Sequence, residues 1–168
     1  FNDASPLENT HASLAFSLLE RPECNFFESS RTFTRPLYED FRTLVIEGLI
    51  GTDMRHHHDQ TKSVEGILAD GQIEDNEVSK LLKAILHAAD LSNPMKPFPI
   101  YMKWVDRVRA EFWQQGDEEQ RRGLPISILC DRKSTKVAKS QVGFISFVVK
   151  PFVRELAPVL PSVWLERL

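Results

Sequence analysis

The chain has 168 residues, of which 42% are apolar and 27% charged, and a net charge of -3; one domain of this size hides roughly 70% of its unfolded surface, which excludes a wholly disordered chain and disfavours two domains. The charge balance leaves no basic face for nucleic acid, and Cys24 and Cys130 are too few and too distant for a disulfide framework or a zinc ribbon, so both read as packed thiols. No run of about 18 apolar residues exists to span a bilayer and the opening residues lack a signal-peptide pattern, so a cytoplasmic protein is expected.

Ser5-Pro6-Leu7-Glu8 reads as a capping box, with serine before the helix, proline at its first position and glutamate three after the cap. Leu7, His11, Leu14, Ala15 and Leu18 then share one face, and Arg21-Pro22 ends the segment. A second helix is predicted to begin near Thr34-Arg35-Pro36, to carry Phe41, Leu44, Val45, Gly48, Leu49 and Thr52, and to run on toward His58. From His58 to Asn76 the polar sequence with Gly66 and Gly71 predicts a helix tail and then a loop.

A third helix is predicted to bury Val78, Leu81, Leu82, Ile85, Leu86 and Ala89 and to stop at Ser92-Asn93-Pro94. A fourth carries Tyr101, Trp104, Val105, Val108 and Phe112 through a charged stretch to Gly123. Leu124 to Arg132 reads as an extended loop. A fifth helix, capped by Ser134, shows Phe144, Ile145, Val148 and Val149 and is predicted to bend at Pro151, after which turns lead to Trp164. The last eight residues read as the start of another amphipathic segment. No segment alternates with period two and no repeat of about 20–50 residues occurs. The fold class is all-α.

Asp90 ends an apolar helix, where a bare charge is costly and needs a partner. His87, three residues earlier, is a candidate partner, although a hydrogen-bonded core histidine is the simpler reading. His56, His57 and His58 point about 100° apart on a helix and cannot all reach one ion, although Asp53 and His57 are spaced to do so. Gln141 and Phe144 are spaced to line one wall, where a carboxamide reads a purine edge while a ring stacks on its face. Spacing alone favours the plainer reading, with Phe144 in the core and Gln141 a surface amide. No Gly-x-Ser-x-Gly elbow and no glycine-rich phosphate loop occurs.

Phe1-Asn2-Asp3-Ala4-Ser5 with Leu7-Glu8-Asn9, Thr52-Asp53-Met54, Ala89-Asp90-Leu91-Ser92-Asn93-Pro94, Trp104 to Asp117 and Lys139 to Ile145 occur in a telling order. In that order and spacing the chain resembles, over nearly its whole length, the catalytic domain of the class I cyclic nucleotide phosphodiesterases of eukaryotes. The resemblance implies a compact multi-helix hydrolase with two divalent metals, zinc and magnesium, with manganese as a substitute in the second site. It implies opening of a 3',5'-cyclic nucleotide to the 5'-monophosphate by a hydroxide between the metals, with a histidine protonating the departing oxygen.

Residue by residue, the resemblance makes Asp90 the late aspartate ligand of zinc. It makes Glu8 a carboxylate near the bridging water, and Thr52 and Asp53 the groups that orient magnesium-bound waters. Gln141 becomes the purine-binding glutamine, Phe144 the ring stacked on the base and Val108 the aliphatic residue on its other face. Asn93 and Tyr101 line the same pocket and Leu129 its rim. Asn93-Pro94 with Tyr101 resembles members that prefer cyclic AMP or accept both nucleotides, with cyclic GMP the alternative substrate.

The family's His-Asn and His-Asp motifs, which supply the remaining ligands and the acid, are absent from these residues. Thr10 stands where the family carries a histidine. Residues 1–168 are therefore expected to be the C-terminal half or more of a single catalytic domain, unable by itself to hold zinc, with any regulatory domain or homodimer contact outside this chain. Two competing readings are a non-catalytic nucleotide-binding or helical interaction module, and a metal-dependent phosphohydrolase for another ester.

Overall fold

The computed structural model describes residues 1–27, 34–69 and 71–160, and their secondary structure is entirely helical. The chain divides into two compact units, Phe1–Asp90 and Leu91–Leu168. No helix among the described residues is long and apolar enough to cross a membrane. Trp164 and the amphipathic segment expected at residues 161–168 lie outside the described residues.

The first unit contains α1 (Pro6–Leu19), α2 (Arg35–Ile50), α3 (His57–Leu68) and α4 (Val78–Asp90). Its core gathers Ala12, Val64, Ile67, Leu81, Ala84 and Ala88, with α2 packed on both α1 and α4, and α3 on α4. Helix α1 begins at Pro6 as predicted, yet the capping box is not formed. Ser5 adopts a left-handed conformation (φ 43°, ψ 54°), and its hydroxyl donates to Asp53 instead of accepting from the helix.

The second predicted helix also needs correction. It ends at Ile50, because Asp53 turns extended (φ -60°, ψ 122°) and its carboxylate accepts from the Arg55 amide, capping a short 3-10 turn that leads into α3. The helix tail predicted after His58 is a separate three-turn helix, α3, which buries Gln60, Val64 and Ile67 and turns most of its other polar residues to solvent before the chain leaves it at Leu68.

Two predicted faces are rotated away from the core. Leu7 and Leu14 of α1 are 64% and 56% exposed, and in α4 Leu82 is 50% exposed while Leu81, Ala84, His87 and Ala88 are buried. The buried face of α4 thus runs through Leu81, Ala84, His87 and Ala88 and leaves Val78, Leu82 and Leu86 partly exposed.

The second unit opens with a 3-10 turn, Asn93–Met95, and the long α5 (Phe98–Arg121). Helix α5 closes as predicted: Gly123 takes φ 72°, its amide donates to the Gln120 carbonyl at 3.1 Å, and the Leu124 amide donates to the Glu119 carbonyl at 2.9 Å. Residues 124–136 form turns and extended backbone with no regular element.

Helix α6 (Val137–Phe144), a π-helical stretch (Ile145–Val149) and α7 (Lys150–Glu155) then run on continuously. Pro151 removes one amide donor and crowds the carbonyl a turn earlier, and the widened π turn lies immediately before it. The α6 cap position is Lys136, not Ser134, whose hydroxyl donates to Asp131 at 2.6 Å. Val105, Val149, Phe152, Val153 and Leu156 form this unit's core. Cys130 is buried as expected, but Cys24 is exposed, and both are free thiols.

Candidate functional site

In the first unit the candidate residues Glu8, Thr52, Asp53 and Asp90 come from α1, the α2–α3 connection and the end of α4. The segment around Asp53 is built first by backbone geometry. The Arg55 amide donates to Asp53 Oδ1 at 2.9 Å and the Ser5 hydroxyl to Oδ2 at 2.8 Å. Those two bonds hold the Asp53 carboxyl below its ordinary pKa, and the carboxylate ties the start of α1 to the start of α3.

Thr52 donates its hydroxyl to the Leu49 carbonyl at 2.8 Å, so its remaining lone pairs are the part open to a ligand or water. Replacing Ser5 with alanine is expected to cost about 1 kcal/mol of stability, the usual worth of one such bond. The measurement is the urea midpoint of Ser5→Ala against wild type at constant slope, and an unchanged midpoint refutes the tie.

Asp90 retains solvent access, yet surrounding protein desolvates its carboxyl and raises its pKa, with His11 pulling it down and Glu8 pushing it up. Asp90 thus has His11 of α1 and Glu8 as its electrostatic neighbours, and His87 is the core histidine of the simpler reading. His87 is fully buried, with its Nε2 3.0 Å from His57 Nδ1 and the two rings 5.3 Å apart at 58°. Burial first, and the neighbouring His57 second, push the His87 pKa down to about 4, so it is a neutral core imidazole at pH 7.

Asp53 and His57 therefore do not act as a pair; each is engaged elsewhere. Among the described residues no three His, Cys, Asp or Glu side chains converge on one point. A structural zinc takes four protein ligands and a catalytic one three, so the described donors do not complete a zinc site.

The second unit assembles the amide and ring candidates. Tyr101 and Val108, seven residues apart, are half-buried on one side of α5, and Gln141 and Phe144 are half-buried on α6. The Tyr101 hydroxyl donates to Gln141 Oε1 at 2.8 Å, joining the two helices across 40 residues of sequence. Desolvation raises the Tyr101 pKa, which keeps the phenol protonated and able to donate. In this arrangement Gln141 Nε2 keeps both hydrogens for a ligand, and Oε1 keeps one lone pair.

Asn93 opens the 3-10 turn and is half-buried, while Leu129 lies on the 124–136 segment, 43% exposed and left-handed at φ 69°. Sequence reasoning missed the His57–His87 contact and the carboxylates of α5 that grip the 124–136 segment. A glycine in mid-helix, Gly116, was the available signal, since such a residue marks a close backbone approach.

Residues 1–164 match the sequence pattern of the family described as 3'5'-cyclic nucleotide phosphodiesterase. A dual specificity calcium/calmodulin-dependent 3',5'-cyclic nucleotide phosphodiesterase 1B of Bos taurus is 43% identical over 159 residues, covering 95% of this chain and 29% of the relative. The corresponding 1C enzyme of Mus musculus is 45% identical over 152 residues, covering 90% and 21%. Among solved structures, the phosphodiesterase domain of the RhoPDE fusion protein of the choanoflagellate Salpingoeca rosetta superposes with a TM-score of 0.82 at 31% identity, over 99% of this chain and 52% of that one. The chain thus spans less than a third of these curated relatives and about half of the structural neighbour.

Proposed function

Because the chain belongs to the 3'5'-cyclic nucleotide phosphodiesterase family, we propose that it serves hydrolysis of 3',5'-cyclic nucleotides to 5'-monophosphates as the C-terminal half or more of one catalytic domain. The observation that carries this reading is the family match across residues 1–164. Support for the half-domain comes from the apolar stripes Leu7–Leu14–Leu18 and Val78–Leu82–Leu86, each exposed on its helix. Soluble folds cover such stripes with further helices.

In this reading Asp90 contributes one metal ligand, with Glu8, Thr52 and Asp53 orienting water around the ions. The purine is held by Gln141, Phe144 and Val108, with Asn93, Tyr101 and Leu129 around it. The ions proposed are zinc and magnesium, with manganese able to replace the latter; such ions neutralise charge on phosphoryl oxygens. The described residues by themselves do not complete a two-metal site.

Cyclic AMP is the favoured substrate, since Asn93 and Tyr101 are the residue types that the resemblance ties to cyclic AMP or dual preference. The non-catalytic module is the second reading, and the converged Tyr101–Gln141 pair is compatible with both. Retention of Glu8 and Asp90 favours the enzyme, because a module freed from catalysis has no use for two neighbouring carboxylates, whereas Thr52 and Asp53 also serve the local fold.

The experiment measures cyclic AMP and cyclic GMP hydrolysis by the full-length protein carrying this chain, wild type and Asp90→Ala, with metal content determined alongside. Activity lost together with metal in Asp90→Ala is the expected outcome, and a wild-type protein that binds cyclic nucleotide without turnover sinks the enzyme reading. The 168-residue chain alone is expected to retain less than one zinc per molecule on dialysis and to show no turnover. Metal-dependent turnover by the isolated chain overturns the half-domain assignment.

A further inference from the structure

We propose that one turn of α5, Gly116 to Glu119, is a positioning element that fixes the 124–136 segment and so sets where Leu129 presents its side chain. This rests on the reading of Leu129 as part of the nucleotide pocket. Three contacts from that turn reach the segment at separate points.

Gly116 is buried, and a Cβ placed on it would lie 2.7 Å from the Cys130 carbonyl carbon and overlap the carbonyl oxygen. Only a glycine permits the segment to lie this close to α5. Asp117 receives two bonds from Arg132, from Nε at 2.9 Å and from Nη2, in a fork that fixes direction as well as distance. Glu119 accepts from the Ser127 amide at 2.7 Å and the Ser127 hydroxyl at 2.6 Å, while its own carbonyl accepts from Leu124.

The anchors at 127, 130 and 132 bracket Leu129, a branched side chain held at φ 69°. That region is sparsely populated for such residues and persists only where the flanks over-determine it. Leu129 carries no group able to do chemistry. A segment released from α5 therefore misplaces an apolar contact to the ligand and leaves the reacting atoms untouched, which predicts a change in KM and not in kcat.

The test uses steady-state kinetics of the full-length protein carrying this chain, with cyclic AMP and cyclic GMP. Glu119→Ala and Asp117→Arg are each expected to raise KM about tenfold with kcat within about twofold, the effect of losing hydrogen bonds to a charged group. Leu129→Ala is expected to raise KM similarly, and Glu119→Ala with Leu129→Ala to be no worse than either alone, because both remove one contact. Joining Asp117→Arg to Arg132→Asp is expected to recover most of the loss, which a general folding defect does not do.

Unchanged KM in Glu119→Ala and Asp117→Arg, or an equal fall in kcat, overturns the proposal. Absence of turnover in wild type is a failure of the functional reading instead. The positioning claim is then read from amide hydrogen exchange in the full-length protein carrying this chain, where Glu119→Ala is expected to accelerate exchange within 124–136 alone. No acceleration there overturns it.

Discussion

On acidification from pH 7.5 to 4 the first unit is expected to lose about 3 kcal/mol of stability through His87, an effect that His87→Gln abolishes. The imidazole is fully buried and its pKa lies at about 4, against 6.5 for a free side chain. The unfolded chain therefore takes up a proton near pH 6.5, whereas the folded chain does not do so until near pH 4. Between those values the unfolded state binds more protons, so stability is complete above about pH 6.5, falls as pH drops and levels off below about 4. The gap of about 2.5 units, at 1.36 kcal/mol per unit, sets the size.

His57 contributes to the direction, because a proton on either ring repels a proton on the other. The comparison is of urea unfolding free energies at several pH values for wild type and His87→Gln. Carboxylates such as Asp53 and Asp90 titrate in both proteins and cancel in the difference. If the two curves stay parallel across pH 4–7, the neutral buried histidine is wrong.

Helix existence was readable in this sequence because it depends on local rules. The proline openings of α1 and α2, the stop after Asp90 and the Gly123 closure of α5 all depend on a few adjacent residues. What local rules do not carry is the choice between two apolar faces of one helix. In α4 apolar residues run round more than one face, and packing buried Leu81, Ala84 and Ala88 while leaving Val78, Leu82 and Leu86 partly exposed.

Partner choice failed for the same reason. The capping box at Ser5 is sound local geometry, but Asp53, 48 positions away, takes the hydroxyl, while His87 is the core histidine expected, its contact coming from His57, 30 positions away. The break between α2 and α3 depends on Asp53 as a cap, a role hidden inside an otherwise continuous helical pattern. Within the candidate site, the Gln141–Phe144 spacing was visible, whereas the tyrosine bonded to the glutamine lies 40 residues away, read by periodicity only as part of a helix stripe and joined to the site through resemblance alone.

That tyrosine carries the second large effect. In the full-length protein carrying this chain, Gln141→Ala is expected to lower kcat/KM for both cyclic nucleotides about 10- to 100-fold, mostly through KM, since a base edge left unpaired on binding costs about 1–3 kcal/mol. Tyr101→Phe is expected to act differently. It keeps the ring but removes the 2.8 Å bond to Gln141 Oε1, which holds the amide in one orientation.

A carboxamide presents opposite donor and acceptor orders in its two flipped states, and adenine and guanine differ in the order they require. Held by Tyr101, Gln141 offers its Nε2 hydrogens first; released, it populates both states and distinguishes the bases less. The ratio of kcat/KM for cyclic AMP over cyclic GMP is therefore expected to move toward one in Tyr101→Phe, while the better substrate loses no more than about tenfold. A ratio that stays fixed while both substrates weaken equally assigns Tyr101 to packing, because loss of orientation must favour the wrong base relative to the right one.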